Sequence, residues 1–286
     1  MMILWIWLSN DALFYKVKYF RDKIIIITGA SSGIGLASAY YFANNGAKLS
    51  LAARSEDKLQ RVASELSGIS DVLVCKCDVR EENDCKKLIE STIERYGRID
   101  ILINNAGISM RATFEDMSLS VIKELMDVNF WGTVYCTKYA LPHLLESKGS
   151  VVGVISIAGF KGLPARTGYS SSKYAIRGFL DALRVEHLHD GLHVMVFAPG
   201  FTSSNIRNVA LTADGSQQGE TPRDETKMMS PERVAKLLGR GIRRRRRQMI
   251  LTSLGKATVF INRTFPALVD KIEYMFLKKE PNSPLK

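Results

Sequence analysis

The sequence predicts an α/β fold: a doubly wound parallel sheet of about seven strands in a single domain, with a helical extension at the C-terminal end. Three observations predict it. Short β-branched runs alternate with longer stretches of helical period, the pattern of repeated βα units. The runs are continuously apolar, as in Ile24 to Ile27, which suits strands buried on both faces. With 46% hydrophobic and 24% charged residues among 286, the composition is that of an ordinary globular protein and argues against disorder, collagen or a membrane bundle.

Strands are predicted at 24–28, 48–53, 72–76, 100–104, 150–156, 192–198 and 248–252. Helical period fits 34–45, ending at Asn45-Gly46 as a left-handed stop, and 81–96, ending at Gly97 in the same way. It also fits 55–66, 118–147 with an interruption near Asn129, 167–189, and 231–242. The last of these opens on Ser230-Pro231-Glu232 as cap and first turn. The stretch 202–229 is polar, rich in Ser, Thr and Gly, and without period; it is expected to be a mobile flap beside a site.

The net charge of +11 is unevenly distributed, because residues 240–286 carry +9 and residues 1–239 only +2. Residues 1–21 form an apolar extension. Its run Met2 to Leu8 is shorter than the roughly 20 residues of a spanning helix and lacks the small-residue cleavage site of a signal peptide. It is expected to lie on a bilayer rather than cross one. Residues 254–286 form a basic amphipathic extension, mixing Val259, Phe260, Phe265, Leu268, Ile272 and Phe276 with Lys256, Arg263, Lys271, Lys278 and Lys279. Such a segment lies on a membrane, covers a lipid substrate, or packs on the domain or on a second subunit. The basic run Arg243 to Arg247 has no aromatic interleaving and reads as a solvated helix end facing the negative dipole, so no nucleic-acid partner is expected. His143, His187, His189 and His193 lack ligand spacing, and Cys75, Cys77, Cys85 and Cys136 do not complete a metal shell, so no metal site is expected. Reduced thiols suit an intracellular compartment. The expected localisation is cytoplasmic, with peripheral contact at a membrane surface.

Thr28-Gly29-Ala30-Ser31-Ser32-Gly33-Ile34-Gly35 follows a predicted strand and opens a predicted helix. Three glycines stand where the backbone must turn sharply and approach a ligand, and the helix N-terminus offers N–H groups and a positive dipole end to a pyrophosphate. The second strand ends Leu51-Ala52-Ala53-Arg54-Ser55, with a guanidinium and no carboxylate. An acidic residue there would bind a ribose 2′-hydroxyl, whereas a basic one accommodates a 2′-phosphate, so NADP(H) is expected in preference to NAD(H).

Tyr169 and Lys173 are four apart on a predicted helix and therefore on one face. A nearby cation is expected to pull the phenol below its free value of about 10 and to make it a usable acid near neutrality. Ser156, at a predicted strand end, brings a hydroxyl for the same substrate oxygen.

Taken together, Thr28 to Gly35, Asn104-Asn105-Ala106-Gly107, Asn129, Ser156, Tyr169 with Lys173, and Pro199-Gly200 resemble the short-chain dehydrogenase/reductase family in order and spacing, over roughly residues 22–252. The resemblance implies a Rossmann-type sheet and a catalytic, NADP-binding domain at 22–253. It implies hydride transfer between nicotinamide and a ketone or secondary alcohol. Tyr169 would be the acid, Lys173 would hold the nicotinamide ribose and lower the phenol's pKa, Ser156 would orient the carbonyl, and Asn129 would support a proton-supplying water chain. It further implies cofactor contacts at Gly29, Ser31, Ser32, Gly33, Ile34, Gly35, Arg54, Asp78, Val79, Asn105, Ala106, Gly107, Tyr169, Lys173, Pro199, Gly200 and Thr202. A homo-oligomer is also implied. Residues 104–109, 211–216, the basic run and the apolar tail are similar to the dehydrogenase/reductase member 7B branch, which tilts the expected substrate toward small hydrophobic, lipid-like or steroid-like carbonyls. A cofactor-binding regulator without catalysis, or a membrane-surface module, remains the alternative at this point.

Overall fold

The computed structural model describes residues 19–221 and 228–285. Residues 1–18, most of the expected apolar extension, and 222–227, part of the expected flap, lie outside them. Seven parallel strands run β1 (Ile24–Thr28), β2 (Lys48–Ala53), β3 (Val72–Lys76), β4 (Ile101–Asn104), β5 (Ser150–Val154), β6 (His193–Ala198) and β7 (Gln248–Ile250), in the spatial order 3-2-1-4-5-6-7. The order reverses between β1 and β4, and the carboxyl ends of those two strands border the crevice where such sheets receive ligands.

Alternation along the strands sorts side chains to two buried layers. Ile25, Ile27, Leu49, Leu51 and Phe197 face α1 (Gly33–Asn44), α2 (Glu56–Leu66) and α7 (Pro231–Arg243), where Phe42, Leu59 and Leu238 meet them. Ile26, Leu102, Val151 and Val196 face α3 (Glu82–Tyr96), α5 (Gly132–Glu146) and α6 (Thr167–Glu186), through Leu88, Cys136 and Leu180. Each such isoleucine or leucine contributes roughly 1.5–3 kcal/mol by its burial, which is why these runs tolerate no polar face.

The helix expected at 118–147 is interrupted where expected. It comprises α4 (Leu119–Leu125), a π-helical stretch Met126–Trp131 and α5. β5 ends at Val154 rather than 156 because Ser156 turns to cap a short 3-10 turn, Ile157–Gly159. β7 ends at Ile250 rather than 252 because Thr252 caps α8 (Ser253–Thr264), its hydroxyl accepting from the Gly255 N–H. Helix α9 (Pro266–Lys278) completes the extension. The stretch 202–229 is less structureless than its composition predicts. Thr202 pairs with Met229, and Leu211 pairs with both Met110 and Gln217. Arg207, buried, donates to the Thr202 carbonyl and the Thr221 hydroxyl.

Candidate active site

The glycine turn joins β1 to α1. Gly29 has φ +65° and backs onto the 105–106 loop, where a Cβ would approach Ala106 Cα to 2.9 Å. At Gly35 a Cβ would collide with the Gly29 carbonyl, so the first turn of α1 and the strand end close on one another only without side chains. Thr28 braces this arrangement from below, its hydroxyl accepting from the Asn105 and Ala106 N–H groups at 3.0 Å each. The Asn105 amide donates to the Thr28 carbonyl at 2.9 Å. Ser32, the exposed N-cap of α1, makes no side-chain cap bond, which leaves the positive end of the helix to a ligand. Ser31 and Ile34 flank it, partly exposed, and Gly33 lies 3.3 Å, from its would-be Cβ, from Ser204 of the segment after β6. These features fit a dinucleotide pyrophosphate.

Arg54 follows β2 directly and is exposed. Its charge reaches Asp78, beyond β3. Burial pushes the Asp78 carboxyl upward, but hydrogen bonds from the Arg80 side chain and N–H, with the charges of Arg80 and Arg54, outweigh it and hold the group below its usual value. Val79 is instead buried, packed against Gly132 at the start of α5. Its side chain supports the segment from behind, so any contact it makes toward a cofactor is through backbone.

The reacting end is assembled by three elements. The π-helical stretch carries Asn129, fully buried, whose Oδ1 accepts from the Ile108 N–H at 2.8 Å while Nδ2 donates to the Ile108 carbonyl (3.1 Å) and the Ser172 hydroxyl (2.9 Å). Ser172 in turn donates to the Tyr169 carbonyl. Helix α6 carries Tyr169 and Lys173 on one face, with Lys173 Nζ 5.7 Å from the Tyr169 ring centroid. The turn after β5, where the Ser156 hydroxyl accepts from the Ala158 N–H at 3.2 Å, brings Ser156 beside Tyr169, near enough to favour the phenolate. Lys173 Nζ donates to the Val154 carbonyl at 3.1 Å. Gly107 closes the circuit: a Cβ there would lie 3.0 Å from Asn129 Oδ1 and 3.2 Å from Lys173 Nζ. A continuous run of contacts therefore links the glycine turn, through Asn105 to Gly107, to Lys173, Tyr169 and Ser156.

The electrostatics depart from the expectation at one point. Burial pushes the Tyr169 phenol up from 10, opposed by the neighbouring Ser156 hydroxyl and by the charge of Arg166, not of Lys173. Lys173 is itself drawn down to about 8 by burial and is a weak cation in this pocket. Sequence reasoning missed Arg166, which stands three residues before Tyr169 at the N-cap of α6. Its guanidinium donates to the Ser109 hydroxyl at 2.9 Å and to the Met110 carbonyl. Only its spacing from the tyrosine signals it. Also missed was Thr252, whose side chain would collide with a Cβ at Gly200 and so seats the cap of α8 against the Pro199-Gly200 strand end. Pro199 and Thr202 are buried beside it, and the Thr202 hydroxyl donates to the Gly200 carbonyl at 3.1 Å.

Tyr169 sits in an apolar cluster with Met110, Leu211 and Ala158, flanked by Leu163 and Ala213. A separate open cleft of about 670 Å³ lies between α6 and α9, lined by Leu163, Ser170, Tyr174, Glu273 and Tyr274; Tyr169 does not line it. Among the described residues, no group of three or more His, Cys, Asp or Glu side chains is arranged to hold a metal.

A family model described as short chain dehydrogenase matches residues 23–214. The 11-beta-hydroxysteroid dehydrogenase-like 4A of Arabidopsis thaliana is 44% identical over 197 residues, covering 68% of this chain and 66% of that protein. The dehydrogenase/reductase SDR family member 7B of Mus musculus is 33% identical over 272 residues, 93% of this chain and 84% of that protein. A short chain dehydrogenase/reductase from Burkholderia phymatum, solved in complex with NAD, superposes with a TM-score of 0.78 at 23% identity, covering 87% of this chain and 95% of that one, a likeness of fold. The chain belongs to the short-chain dehydrogenase family, oxidoreductases that act on CH–OH groups with NAD(P), and within that family it has a member 7B-like resemblance.

Proposed function

We propose that this protein is an NADP(H)-dependent oxidoreductase that interconverts a hydrophobic, lipid-like or steroid-like ketone and its secondary alcohol, with Tyr169 as general acid and base. The observation that carries the reading is the buried constellation of Tyr169, Ser156 and Lys173, joined to the glycine turn by residues 105–107. A bound nicotinamide would supply or receive the hydride. Tyr169 donates its phenolic proton to the carbonyl oxygen in reduction and recovers it in oxidation, while the Ser156 hydroxyl hydrogen-bonds the same oxygen and orients it. Lys173 Nζ, already a donor to the Val154 carbonyl, would hold the nicotinamide ribose and lies on the side of the phenol from which protons are resupplied. Asn129 fixes the Ile108 backbone and Ser172 beneath that path.

Arg54, exposed and with no carboxylate before it on β2, supports the preference for a 2′-phosphate. The apolar cluster around Tyr169 supports a hydrophobic substrate, as does the hydroxysteroid named for the Arabidopsis relative. The expected test result is that Tyr169→Phe lowers kcat by about 10²-fold or more against a steroid and long-chain ketone panel, while NADPH binding, read by fluorescence, is retained. Turnover unchanged in that variant refutes the proposal.

A further inference from the structure

Arg111, in the loop after β4, is a cation inside the protein rather than on it. Its side chain is 7% exposed, and its Nη2 pairs at 3.3 Å with Glu280, whose side chain is 10% exposed. The same nitrogen donates to the Pro281 carbonyl at 3.0 Å. Both partners belong to the tail that follows α9, far along the chain from the loop they fasten. Arg111 Nε is buried with no acceptor among the described residues. A desolvated guanidinium with a donor unused gains less from this contact than a fully bonded one, so the tail can release it while the rest of the fold stays closed.

The backbone of the same residue joins two segments that cover Tyr169. The Arg111 N–H donates to the Leu211 carbonyl and the Leu211 N–H to the Ser109 carbonyl, each at 2.8 Å, while the Ala112 N–H donates to the Ala165 carbonyl at 3.1 Å. Further along the second segment, Glu220 accepts from the Asn282 amide of the tail at 3.1 Å. Met110 and Leu211 are buried in one apolar cluster with Tyr169, so with the tail in place the phenol is covered. A bulky ketone reaches it only when 109–112 and 209–213 part. We propose that Arg111, through its pair with Glu280, is a specificity-determining positioning residue: it latches the tail across the two segments beside Tyr169 and so sets how readily bulky ketones reach the phenol. The effect on specificity rests on the proposed function; the latch does not. The sign follows from populations. A ketone too large for the latched arrangement binds only the open fraction, and its apparent affinity is reduced by that fraction. Weakening the latch enlarges the fraction and lowers KM for large ketones, whereas a small ketone that enters without opening gains nothing. The pair of Lys161 with Asp270 fastens α9 to the body without involving Arg111, and it supplies the control.

The test uses the full chain, NADPH and a series of ketones of increasing bulk. Glu280→Gln removes the counter-charge of Arg111, Glu280→Asp keeps it, and Lys161→Gln loosens α9 elsewhere. Two quantities are read: amide hydrogen exchange at 109–112 and 209–213, and kcat and KM for each ketone. In Glu280→Gln, exchange at both segments is expected to speed about ten-fold or more and KM for the largest ketones to fall about three-fold or more, with kcat and the small-ketone KM within about two-fold of wild type. Glu280→Asp is expected to lie between Glu280→Gln and wild type, and Lys161→Gln to speed exchange in α9 alone. Three results overturn the inference. The first is unchanged exchange at both segments in Glu280→Gln. The second is the same pattern in Lys161→Gln, which makes looseness of the whole extension the cause. The third is a KM that rises with ketone bulk, which makes the tail part of the binding surface instead of a latch. Exchange is read without turnover, so a wild-type chain inactive on every ketone refutes the proposed function and leaves the exchange result to decide the latch.

Discussion

Lys173 is a cation held where cations are unfavourable. Its value falls from 10.5 to about 8 through burial, so below about pH 8 the folded protein carries a charge the unfolded chain solvates more cheaply. Between about pH 8 and 10.5 the unfolded chain binds the extra proton, and this residue's contribution to stability rises with pH. Lys173→Met is therefore expected to be more stable than the wild type at pH 7, by up to about 3 kcal/mol less the lost bond to the Val154 carbonyl. The advantage shrinks as pH passes 8. Thermal midpoints at pH 7 and 9.5 check this, and a variant less stable at both would show that the ammonium is a net stabiliser. Arg54 permits an independent residue-scale test. Arg54→Asp is expected to raise KM for NADPH about ten-fold or more and to lower that for NADH, since a carboxylate repels a 2′-phosphate and binds a 2′-hydroxyl. Steady-state kinetics with both cofactors reads the switch, and an unchanged ratio would show that Arg54 does not contact the cofactor's ribose.

At the scale of elements, the site depends on one irregularity. An ordinary α-helix through 119–146 would carry residue 129 around the axis, whereas the π-helical stretch turns its amide onto Ile108 and Ser172. Asn129→Ala leaves the Ile108 N–H and carbonyl without the partners the amide supplies, at about 1–3 kcal/mol each, while the Ser172 hydroxyl keeps its bond to the Tyr169 carbonyl. It is expected to lower the thermal midpoint by several degrees and kcat more than KM; a wild-type kcat would separate the amide from the proton path. The interruption near Asn129 was legible in the sequence because the helical period breaks there, but its π character was not, since periodicity records that a turn slips and not how its hydrogen bonds re-form. The same distinction runs through the molecule. Strands such as Ile24–Thr28 and the stops at Gly46 and Gly97 follow from local pattern and a left-handed φ. The glycine turn and the Tyr169–Lys173 pair follow from spacing on a strand–helix junction and on a helix. What escaped were effects that exist only after folding: the raised phenol, which comes from burial; Arg166 as the cation acting on it; and the pinning of 202–221 by Met110.

At the scale of the whole molecule, the sheet is held by two extensive apolar layers, whereas the C-terminal extension is held by a few apolar side chains, Val259, Val269 and Leu277 among them, and a few polar contacts. Arg111 and Glu280 form a nearly buried pair, Lys161 meets Asp270, and Asn282 reaches Glu220 of the segment after β6. A region tied in this way opens at lower free energy than the core. Glu273 makes that opening depend on pH. Burial raises its carboxyl from 4.5 to about 7, assisted by the charge of Asp270 and opposed by that of Lys161. Because the docked state binds the proton more tightly than the released one, its contribution to docking is fully present below about pH 4.5 and is lost as pH rises through 7. Helix α9 is therefore expected to exchange its amides faster relative to the sheet at pH 8 than at pH 5.5, after correction for the intrinsic rate. Glu273→Gln is expected to flatten that difference while leaving protection of β1, β4 and β5 unchanged. If the glutamine variant keeps the full pH dependence, the titrating group lies elsewhere among the contacts that hold the extension, and the His193 ring, whose value burial lowers to about 4, is excluded by the direction of the change.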